Sequence, residues 1–219
     1  MMIAIVHRRR EMSQSMNAPA EIRVEEWLVD ASRAASVDAE IDMLAEVLRG
    51  VVHAGAGVSF FTPLSIDDAR GFWVDKVLPQ VRAGQRRVVV ARLDERSECG
   101  ARIVGTVQLE LEMPPNQQHR AAVAKLLVDP AARRRGIGKA LMIALEEIAR
   151  SERRTLLTLD TVSGSSAELL YRSLDFIAAG VIPRYARGAL TPGLESTTIM
   201  YKELTPADGA LDSVGGRIL

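Results

Sequence analysis

The chain has 219 residues, of which 47% are hydrophobic and 26% are charged, a composition ordinary for a globular protein with a sizeable core. Its 28 basic and 28 acidic residues give a formal net charge of zero, so the overall field gives no reason to expect a nucleic-acid or membrane partner. The single cysteine excludes an internal disulfide framework and fits a cytoplasmic location, and the three widely spaced histidines show no metal-ligand spacing, so we expect no metal.

One domain is expected at residues 21–205, between a flexible N-terminal extension at 1–20 and a loose C-terminal tail at 206–219. The extension is polar and proline-bearing, and its start, MMIAIVHRRR, places apolar residues before arginines, the reverse of a secretory signal. No apolar run approaches the roughly 20 residues that a membrane-spanning helix needs.

The first half of this domain predicts a strand, two helices and three strands in hairpin order. Hydrophobic periodicity places these elements at 21–30 (strand), 38–55 and 65–84 (helices), and 86–94, 102–113 and 121–129 (strands). Ser65 and Asp68 form a loose capping box at the start of the second helix. Gly71 and Pro79 weaken that helix.

The strand at 102–113 alternates between apolar and polar residues. Val107 and Leu109 point one way, and Gln108 and Glu110 point the other. We therefore expect an antiparallel strand with only one face on the core.

The second half alternates helices with strands. The predicted order is a strong helix from Gly136, a strand at 155–161, a helix at 165–175, a strand at 176–183, a long loop at 184–195 and a strand at 196–204. The whole order, β-α-α-β-β-β-α-β-α-β-β, predicts a mixed α/β fold with a mostly antiparallel central sheet flanked by helices.

A basic, glycine-containing segment, RRRGIGKA (133–140), joins the strand at 121–129 to the strong helix. A helix start leaves backbone N–H groups unpaired and carries a partial positive charge, while glycines let an anion approach and arginines add forked donors. Three arginines would be mildly unfavourable near this end of the helix dipole if they were only solvated. We therefore favour a phosphate site over a solvated basic helix start.

Two familiar phosphate-binding motifs do not fit this segment. A P-loop needs glycine at the place of Arg133 and serine or threonine at the place of Ala140. A dinucleotide-binding fingerprint needs a third glycine, where this chain has Leu141. The phosphate group expected here must belong to another class of ligand.

The pattern Arg133-x-x-Gly136-x-Gly138, after an apolar strand ending in VDP, resembles the acyl-CoA-binding motif of the GNAT family of N-acetyltransferases. In that family the amides of this loop hold the coenzyme A diphosphate, and the preceding strand hydrogen-bonds the pantetheine arm. The resemblance covers roughly residues 21–205 and implies the acyl-CoA N-acyltransferase fold with acetyl-CoA as cofactor. The cofactor-binding residues that it implies are Leu126, Leu127, Val128, Arg133, Arg134, Arg135, Gly136, Ile137, Gly138, Lys139 and Ala140.

A second segment, SSAELLYRSLDFIAAGVIP, resembles the family's A-x-x-x-Y-x-x-x-G-F stretch, with Tyr171 in the tyrosine place. With QHRAAVAKLLVDPAARRRGIGKALM, LLTLDT and GVIPRYA, it is similar to the tabtoxin-resistance-like subgroup. Asp175 replaces the usual glycine, and Gly164 stands where many relatives have an asparagine near the pantetheine. Both departures concern the thioester end of the site.

The resemblance implies catalytic roles for Tyr171 and Asp160. Tyr171 would donate a hydrogen bond to the leaving thiolate, because a phenol of pKa about 10 is a weaker acid than a thiol of pKa about 8.5. Full proton transfer would need a lowered pKa at Tyr171. Asp160, which ends a strand read as buried, would help deprotonate the acceptor amine. The alternatives are a packing tyrosine and an aspartate that caps the following turn.

A second carboxylate, expected in a RAEV-like stretch, is absent because this chain reads RAAV, with Ala122 in its place. Glu110 on the neighbouring strand is the candidate substitute, with an exposed strand glutamate as the equal alternative. The donor to the oxyanion is expected to be a backbone N–H at Leu127 or Val128.

These patterns predict an N-acetyltransferase that moves the acetyl group of acetyl-CoA to a primary amine of a small molecule by direct attack. The acceptor would be a toxin, an antibiotic or an amino-acid derivative. The alternative is a non-catalytic CoA-binding regulatory module of the same fold. Nucleic-acid binding through the arginines is disfavoured by zero net charge and 4% aromatic residues. The sequence leaves the oligomeric state open, a homodimer included.

Overall fold

The computed structural model describes residues 21–29, 34–94, 101–190 and 193–205. The predicted extension at 1–20, the tail at 206–219 and most of the turn after Asp94 lie outside these residues. The strands are β1 (Ile22–Glu26), β2 (Arg86–Asp94), β3 (Ala101–Glu110), β4 (Arg120–Val128), β5 (Leu156–Val162), β6 (Ile177–Arg187) and β7 (Leu194–Glu203). The helices are α1 (Ala34–His53), α2 (Ile66–Gly71), α3 (Leu78–Arg82), α4 (Ile137–Ser151) and α5 (Ser166–Arg172). The predicted order of elements is confirmed.

The strands form one seven-stranded sheet in the order β1-β2-β3-β4-β5-β7-β6. All neighbouring strands pair antiparallel except β4 and β5, which are parallel. The prediction of a mixed, mostly antiparallel sheet flanked by helices is therefore confirmed.

Helices cover both faces of the sheet, and each face has its own apolar core. On one face α4 packs through buried side chains such as Leu141 and Leu145, joined by Tyr171 of α5. On the other face α1 packs with Trp27 and Trp73, which meet edge to face at a centroid distance of 6.4 Å. The five residues of the predicted α1 stripe are all buried there: Ile41, Leu44, Ala45, Leu48 and Val52.

The prediction that only one face of β3 lies on the core is wrong. Gln108, placed on the solvent side by its polarity, is fully buried, like its neighbours Val107 and Leu109. The strand also ends at Glu110, three residues before the predicted end. Because helices cover both sides of a central strand, Gln108 is buried, and it accepts a hydrogen bond from Arg86 on β2.

The predicted helix at 65–84 is a continuous helical segment with a π-helical turn, Phe72–Val77, between α2 and α3. Ser65 caps it, since its hydroxyl accepts from the Asp68 N–H at 3.0 Å. The wider turn precedes Pro79, whose ring would clash with the carbonyl four residues back in a regular α-helix. Pro79 is thus accommodated at the first turn of α3.

The predicted loop at 184–195 is shorter than expected. Strand β6 continues to Arg187 and β7 begins at Leu194, with register shifts in their pairing between Ile182 and Ala186. β6 is an edge strand, which tolerates the proline and the irregular pairing that favoured a loop prediction. No helix within the described residues combines the length and hydropathy that a bilayer crossing requires.

Candidate active site

The parallel strands β4 and β5 pair over only three residues and then separate. Arg120, Ala121 and Ala122 pair with Leu156, Leu157 and Thr158, and no pairing follows. Beyond that point β4 stays paired with β3, and β5 stays paired with β7. The central sheet therefore has a gap between the C-terminal parts of β4 and β5, where no ladder of backbone hydrogen bonds joins the two strands.

The segment after β4 turns sharply into α4 at the mouth of this gap. Asp129 caps a short turn by accepting from the Ala131 N–H at 2.9 Å. Gly136 precedes α4 with a left-handed φ of 77°, a conformation that glycine adopts without strain. No side chain caps α4, and the first helical bond is that from Ala140 N–H to Gly136 O. The amides of the first turn are therefore free to bind an anion.

Positive charge around this helix start is not neutralised within the described part of the chain. Arg134, Arg135 and Lys139 are exposed and make no ion pair with another described residue, and the first turn of α4 has no acidic residue. Arg133 folds back along the gap, and its Nε donates to Val128 O at 3.3 Å. The loop thus combines unpaired amides with unpaired cations, which suits a diphosphate.

The direction of the β4 amides distinguishes Leu127 from Val128. The Asp129 N–H donates to Val104 O on β3 at 2.9 Å, so it points away from the gap. Because alternate residues of a strand direct their N–H groups to opposite sides, the Val128 N–H points into the gap and that of Leu127 toward β3. Of the two predicted donors, Val128 has the geometry that a group bound in the gap requires.

Tyr171 lies on α5, in the apolar core on the α4 side of the sheet, and is 6% exposed. Its ring packs against Phe176 at a centroid distance of 5.7 Å, and its hydroxyl makes no hydrogen bond to another described residue. Burial raises the pKa of Tyr171 well above the ordinary tyrosine value, and the nearby Asp160 carboxylate raises it further. This is the opposite of the lowered pKa that full proton transfer would need, so the Tyr171 hydroxyl is un-ionised near neutral pH.

We expect Tyr171 to remain un-ionised up to pH 10.0, the ordinary tyrosine value. A folded-state pKa above the unfolded value favours the protonated form, so its contribution to stability is present below pH 10.0 and falls as the pH rises further. Tyrosinate absorbance during alkaline titration of the wild type and of Tyr171→Phe should coincide up to that pH. If the wild type ionised one more tyrosine than Tyr171→Phe below pH 10.0, the result would contradict this assignment.

Asp160 is not in the buried setting that the sequence predicts, because its side chain is exposed on β5 beyond the last β4–β5 pair. Glu110 is half-buried and accepts from Arg86 Nη2 at 2.6 Å, so it is not a free strand glutamate. Glu110 also pairs directly across β3–β4 with Ala122, the position that lacks the expected carboxylate. Both carboxylates lie on the same face of the sheet, the face covered by α1 to α3.

Lys125 of β4 is a further candidate site residue, which the predictions from the sequence did not include. Its pKa is lowered by burial, while Glu110 and Asp160 both act to raise it and Arg86 acts to lower it. Glu110 and Asp160 therefore both act electrostatically on one partly buried lysine of β4. The signal was present as a single lysine inside an apolar strand, AAVAKLLV. Among the described residues there is no cluster of three or more histidine, cysteine, aspartate or glutamate residues that could hold a metal ion.

A profile of the Acetyltransferase (GNAT) family matches residues 60–176, more than half of the chain. The matched range includes β4, the basic loop, α4 and Tyr171. The chain belongs to the GNAT acetyltransferase family. It is thus an acyltransferase by family, and acetyl-CoA is the cofactor of that family.

Solved structures share the GNAT fold with this chain. A GCN5-related N-acetyltransferase from Kribbella flavida is 24% identical, with a TM-score of 0.63 over 84% of this chain and 98% of that one. An N-acetyltransferase from Staphylococcus aureus Mu50 is 16% identical, with a TM-score of 0.66 over 85% and 100%. An acetyltransferase from Salmonella typhimurium, solved with its cofactor acetyl-CoA, is 16% identical, with a TM-score of 0.62 over 84% and 94%. At these identities the likeness concerns the fold.

Proposed function

We propose that this GNAT protein transfers the acetyl group of acetyl-CoA to a primary amine of a small molecule, such as a toxin, an antibiotic or an amino-acid derivative, by direct attack. The observation that carries the proposal is the gap between β4 and β5. The uncapped start of α4 follows β4 through the basic loop, Tyr171 packs in the core on the α4 side of the sheet, and Asp160 lies on β5 just beyond the last β4–β5 pair. These are the parts that binding a diphosphate and transferring an acyl group require.

In this proposal the loop and the first turn of α4 bind the diphosphate, and the separated edge of β4 binds the pantetheine arm. Acetyl-CoA supplies an activated thioester whose acyl carbon accepts the amine. The Val128 N–H stabilises negative charge on the acyl oxygen. The residues assigned to binding are Leu126, Leu127, Val128, Arg133, Arg134, Arg135, Gly136, Ile137, Gly138, Lys139 and Ala140.

Asp160, Glu110 and Tyr171 carry the proton chemistry in this proposal. An amine of pKa about 10.4 is less than about 0.1% neutral at pH 7, so a base must remove its proton. Asp160 accepts that proton, directly or through water, because its side chain is exposed on β5 just beyond the last β4–β5 pair. Glu110, across from Ala122, supplies the second negative charge. Tyr171 donates a hydrogen bond to the leaving thiolate.

Three finer assignments belong to the same proposal. The catalytic domain spans 21–205, since β1 and β7 outside the matched range belong to the same sheet. The motifs around Tyr171 and Asp160 favour the tabtoxin-resistance-like subgroup, and with it a small acceptor. A cytoplasmic location fits a chain with one cysteine and no need of an oxidising compartment.

A panel of small primary amines tests the function. The purified protein is incubated with acetyl-CoA and each amine, thiol release is followed, and the acetylated product is identified by mass. We expect turnover with at least one amino-acid-like or antibiotic amine. Saturable acetyl-CoA binding without turnover on any amine would instead support the non-catalytic CoA-binding module.

Asp160→Asn should reduce kcat/KM for the acceptor in a pH-dependent way. Without the carboxylate, the rate depends on the free amine already in solution, so the loss should be about 100-fold near pH 7 and shrink as pH approaches the acceptor pKa. The measurement is the pH profile of kcat/KM for both proteins with the best amine of the panel. A ratio that stays constant across the profile would remove Asp160 from proton transfer.

Glu110→Gln is the matched substitution on the neighbouring strand. It keeps the side-chain shape and a hydrogen-bond acceptor for Arg86. A pH-dependent loss like that of Asp160→Asn would make Glu110 its partner in deprotonation. An unchanged profile would limit Glu110 to its ion pair with Arg86.

A further inference from the structure

Lys125 occupies an irregular position on β4. Gln108 pairs with Ala124 and Thr106 with Leu127, so two residues of β4 lie opposite Val107. This bulge gives Lys125 a φ of 51°, in the left-handed region that a lysine rarely adopts. The bulge lies beyond the last β4–β5 pair, where β4 borders the gap, and it sends the lysine side chain toward the segment between α1 and α2.

The Lys125 ammonium binds that segment through hydrogen bonds and aromatic rings. Its Nζ donates to Val58 O at 2.9 Å and to Ser59 Oγ at 3.2 Å. It also lies 5.6 Å from the ring centroid of Phe60 and 5.9 Å from that of Phe72, distances at which a cation attracts an aromatic ring. The two rings meet edge to face at 5.4 Å, so they form one wall around the ammonium. This is a specific anchor rather than a solvated lysine.

The same segment contacts the opposite side of the gap. We call residues 55–62 the strap. A Cβ on Gly57 would lie 3.1 Å from Val162 Cγ2 at the end of β5, and only 3.6 Å from Glu195 Oε2 on β7. Thr62 Oγ1 donates to Ala189 O, between β6 and β7, at 3.2 Å. The strap therefore runs from Lys125 on β4 to the end of β5 and crosses the gap on the face where Asp160 lies.

Charge balance explains why a cation is tolerated at this place. Burial lowers the pKa of Lys125, and the Glu110 and Asp160 carboxylates oppose that shift. Three charged groups, Glu110, Asp160 and Arg86, therefore influence the pKa of Lys125, while the ammonium donates to the carbonyl and hydroxyl of the strap. An uncharged side chain of equal length would keep the packing and lose the anchor.

We propose that Lys125 is a positioning residue that locks the strap across the gap between β4 and β5 and so covers the acceptor side of the reaction centre. The proposal rests on the proposed function only in that the gap holds the thioester. Lys125 does not touch the reacting atoms in this account. It fixes the wall against which the acceptor amine binds and from which bulk water is excluded.

Lys125→Met tests the lock without an acceptor. Amide hydrogen exchange in residues 55–62 should accelerate by about ten-fold or more, because local opening sets exchange in such segments. Acetyl-CoA hydrolysis in the absence of amine, measured as thiol release, should rise several-fold because water gains access to the gap. The dissociation constant for acetyl-CoA should stay within about two-fold, since the diphosphate site is separate.

Two variants sharpen the comparison. Lys125→Arg keeps the charge and the donors, so it should restore slow exchange in the strap. Lys76→Met changes an exposed lysine on the π-helical turn and should leave exchange, hydrolysis and binding at wild-type values. Should Lys125→Met fail to fold, Lys125→Gln, which keeps a polar end without the charge, provides the same three readouts.

Unchanged exchange in the strap of a folded Lys125→Met or Lys125→Gln protein would overturn the proposal, as would equal hydrolysis by wild type and variant. Failure of the proposed function gives a different result. In that case the wild type itself would bind no acetyl-CoA or would acetylate no amine, while exchange in the strap would still report whether Lys125 holds it. The two failures are therefore distinguishable.

Discussion

Replacing Tyr171 with phenylalanine should lower kcat by about 100-fold or more while leaving acetyl-CoA affinity unchanged. The substitution keeps the ring that packs against Phe176 and removes only the hydroxyl. Burial keeps the pKa of that hydroxyl raised, so it remains a neutral donor throughout the working pH range. Its loss removes a hydrogen bond that forms fully only as negative charge develops on the leaving sulfur, and such an interaction affects kcat rather than binding.

The measurement is steady-state kinetics with the best amine of the panel, together with direct titration of acetyl-CoA. Tyr185→Phe is the matched control, because Tyr185 is 52% exposed on the edge strand β6. It should retain wild-type kcat. A Tyr171→Phe protein whose kcat stays within two-fold of the wild type would leave Tyr171 as a packing residue.

The second large effect concerns the basic loop. Reversing three charges together, with Arg134→Glu, Arg135→Glu and Lys139→Glu, should weaken acetyl-CoA binding by about 100-fold or more at low salt. The fold should persist, because the three side chains are exposed and an acidic residue at position 139, in the first turn of α4, suits the helix dipole. The diphosphate, however, would meet three negative charges where the wild type presents three positive ones.

Calorimetric titration of acetyl-CoA at two salt concentrations measures this effect. The control reverses the same number of exposed charges away from the gap, with Lys76→Glu, Arg82→Glu and Arg153→Glu. That protein has the same net charge as the loop variant, but it should bind acetyl-CoA like the wild type because its reversed charges lie outside the basic loop. Equal weakening in both proteins would mean that overall charge, rather than the loop, governs binding.

Much of the fold is predictable from the sequence because local patterns agree with the final structure. The α1 stripe has helical spacing and is buried in full. The Ser65 cap and the stop at Gly55, which has a φ of 89°, follow from side-chain and glycine chemistry close by in the chain. Such signals depend on near neighbours, so a single sequence contains them.

The errors arise where distant parts of the chain decide. Gln108 reads as a solvent-facing residue, yet α1 to α3 cover its face and Arg86 donates to it. The sequence predicts Asp160 in a buried strand. In the structure β4 stops pairing with β5 before Asp160, and the Asp160 side chain is exposed. Neither the second layer of helices nor the separation of two parallel strands has a local sequence signature.

The candidate site likewise has one part that the sequence predicts and one part that it does not. The basic loop and the helix start are contiguous in sequence, so their chemistry is predictable from residues 133–140. Lys125 depends on a bulge set by the register between β3 and β4, and its partners Val58 and Phe72 lie more than 50 residues away. A register shift of one residue is decided by tertiary packing, and so this lysine became a candidate only in the folded protein.

A crystal structure of the complex with coenzyme A tests the central claim most directly. We expect diphosphate oxygens within about 3 Å of the backbone N–H groups of residues 134–138, with the pantetheine arm along β4 in the gap. A diphosphate bound elsewhere on the protein, with the start of α4 contacting only solvent, would contradict it.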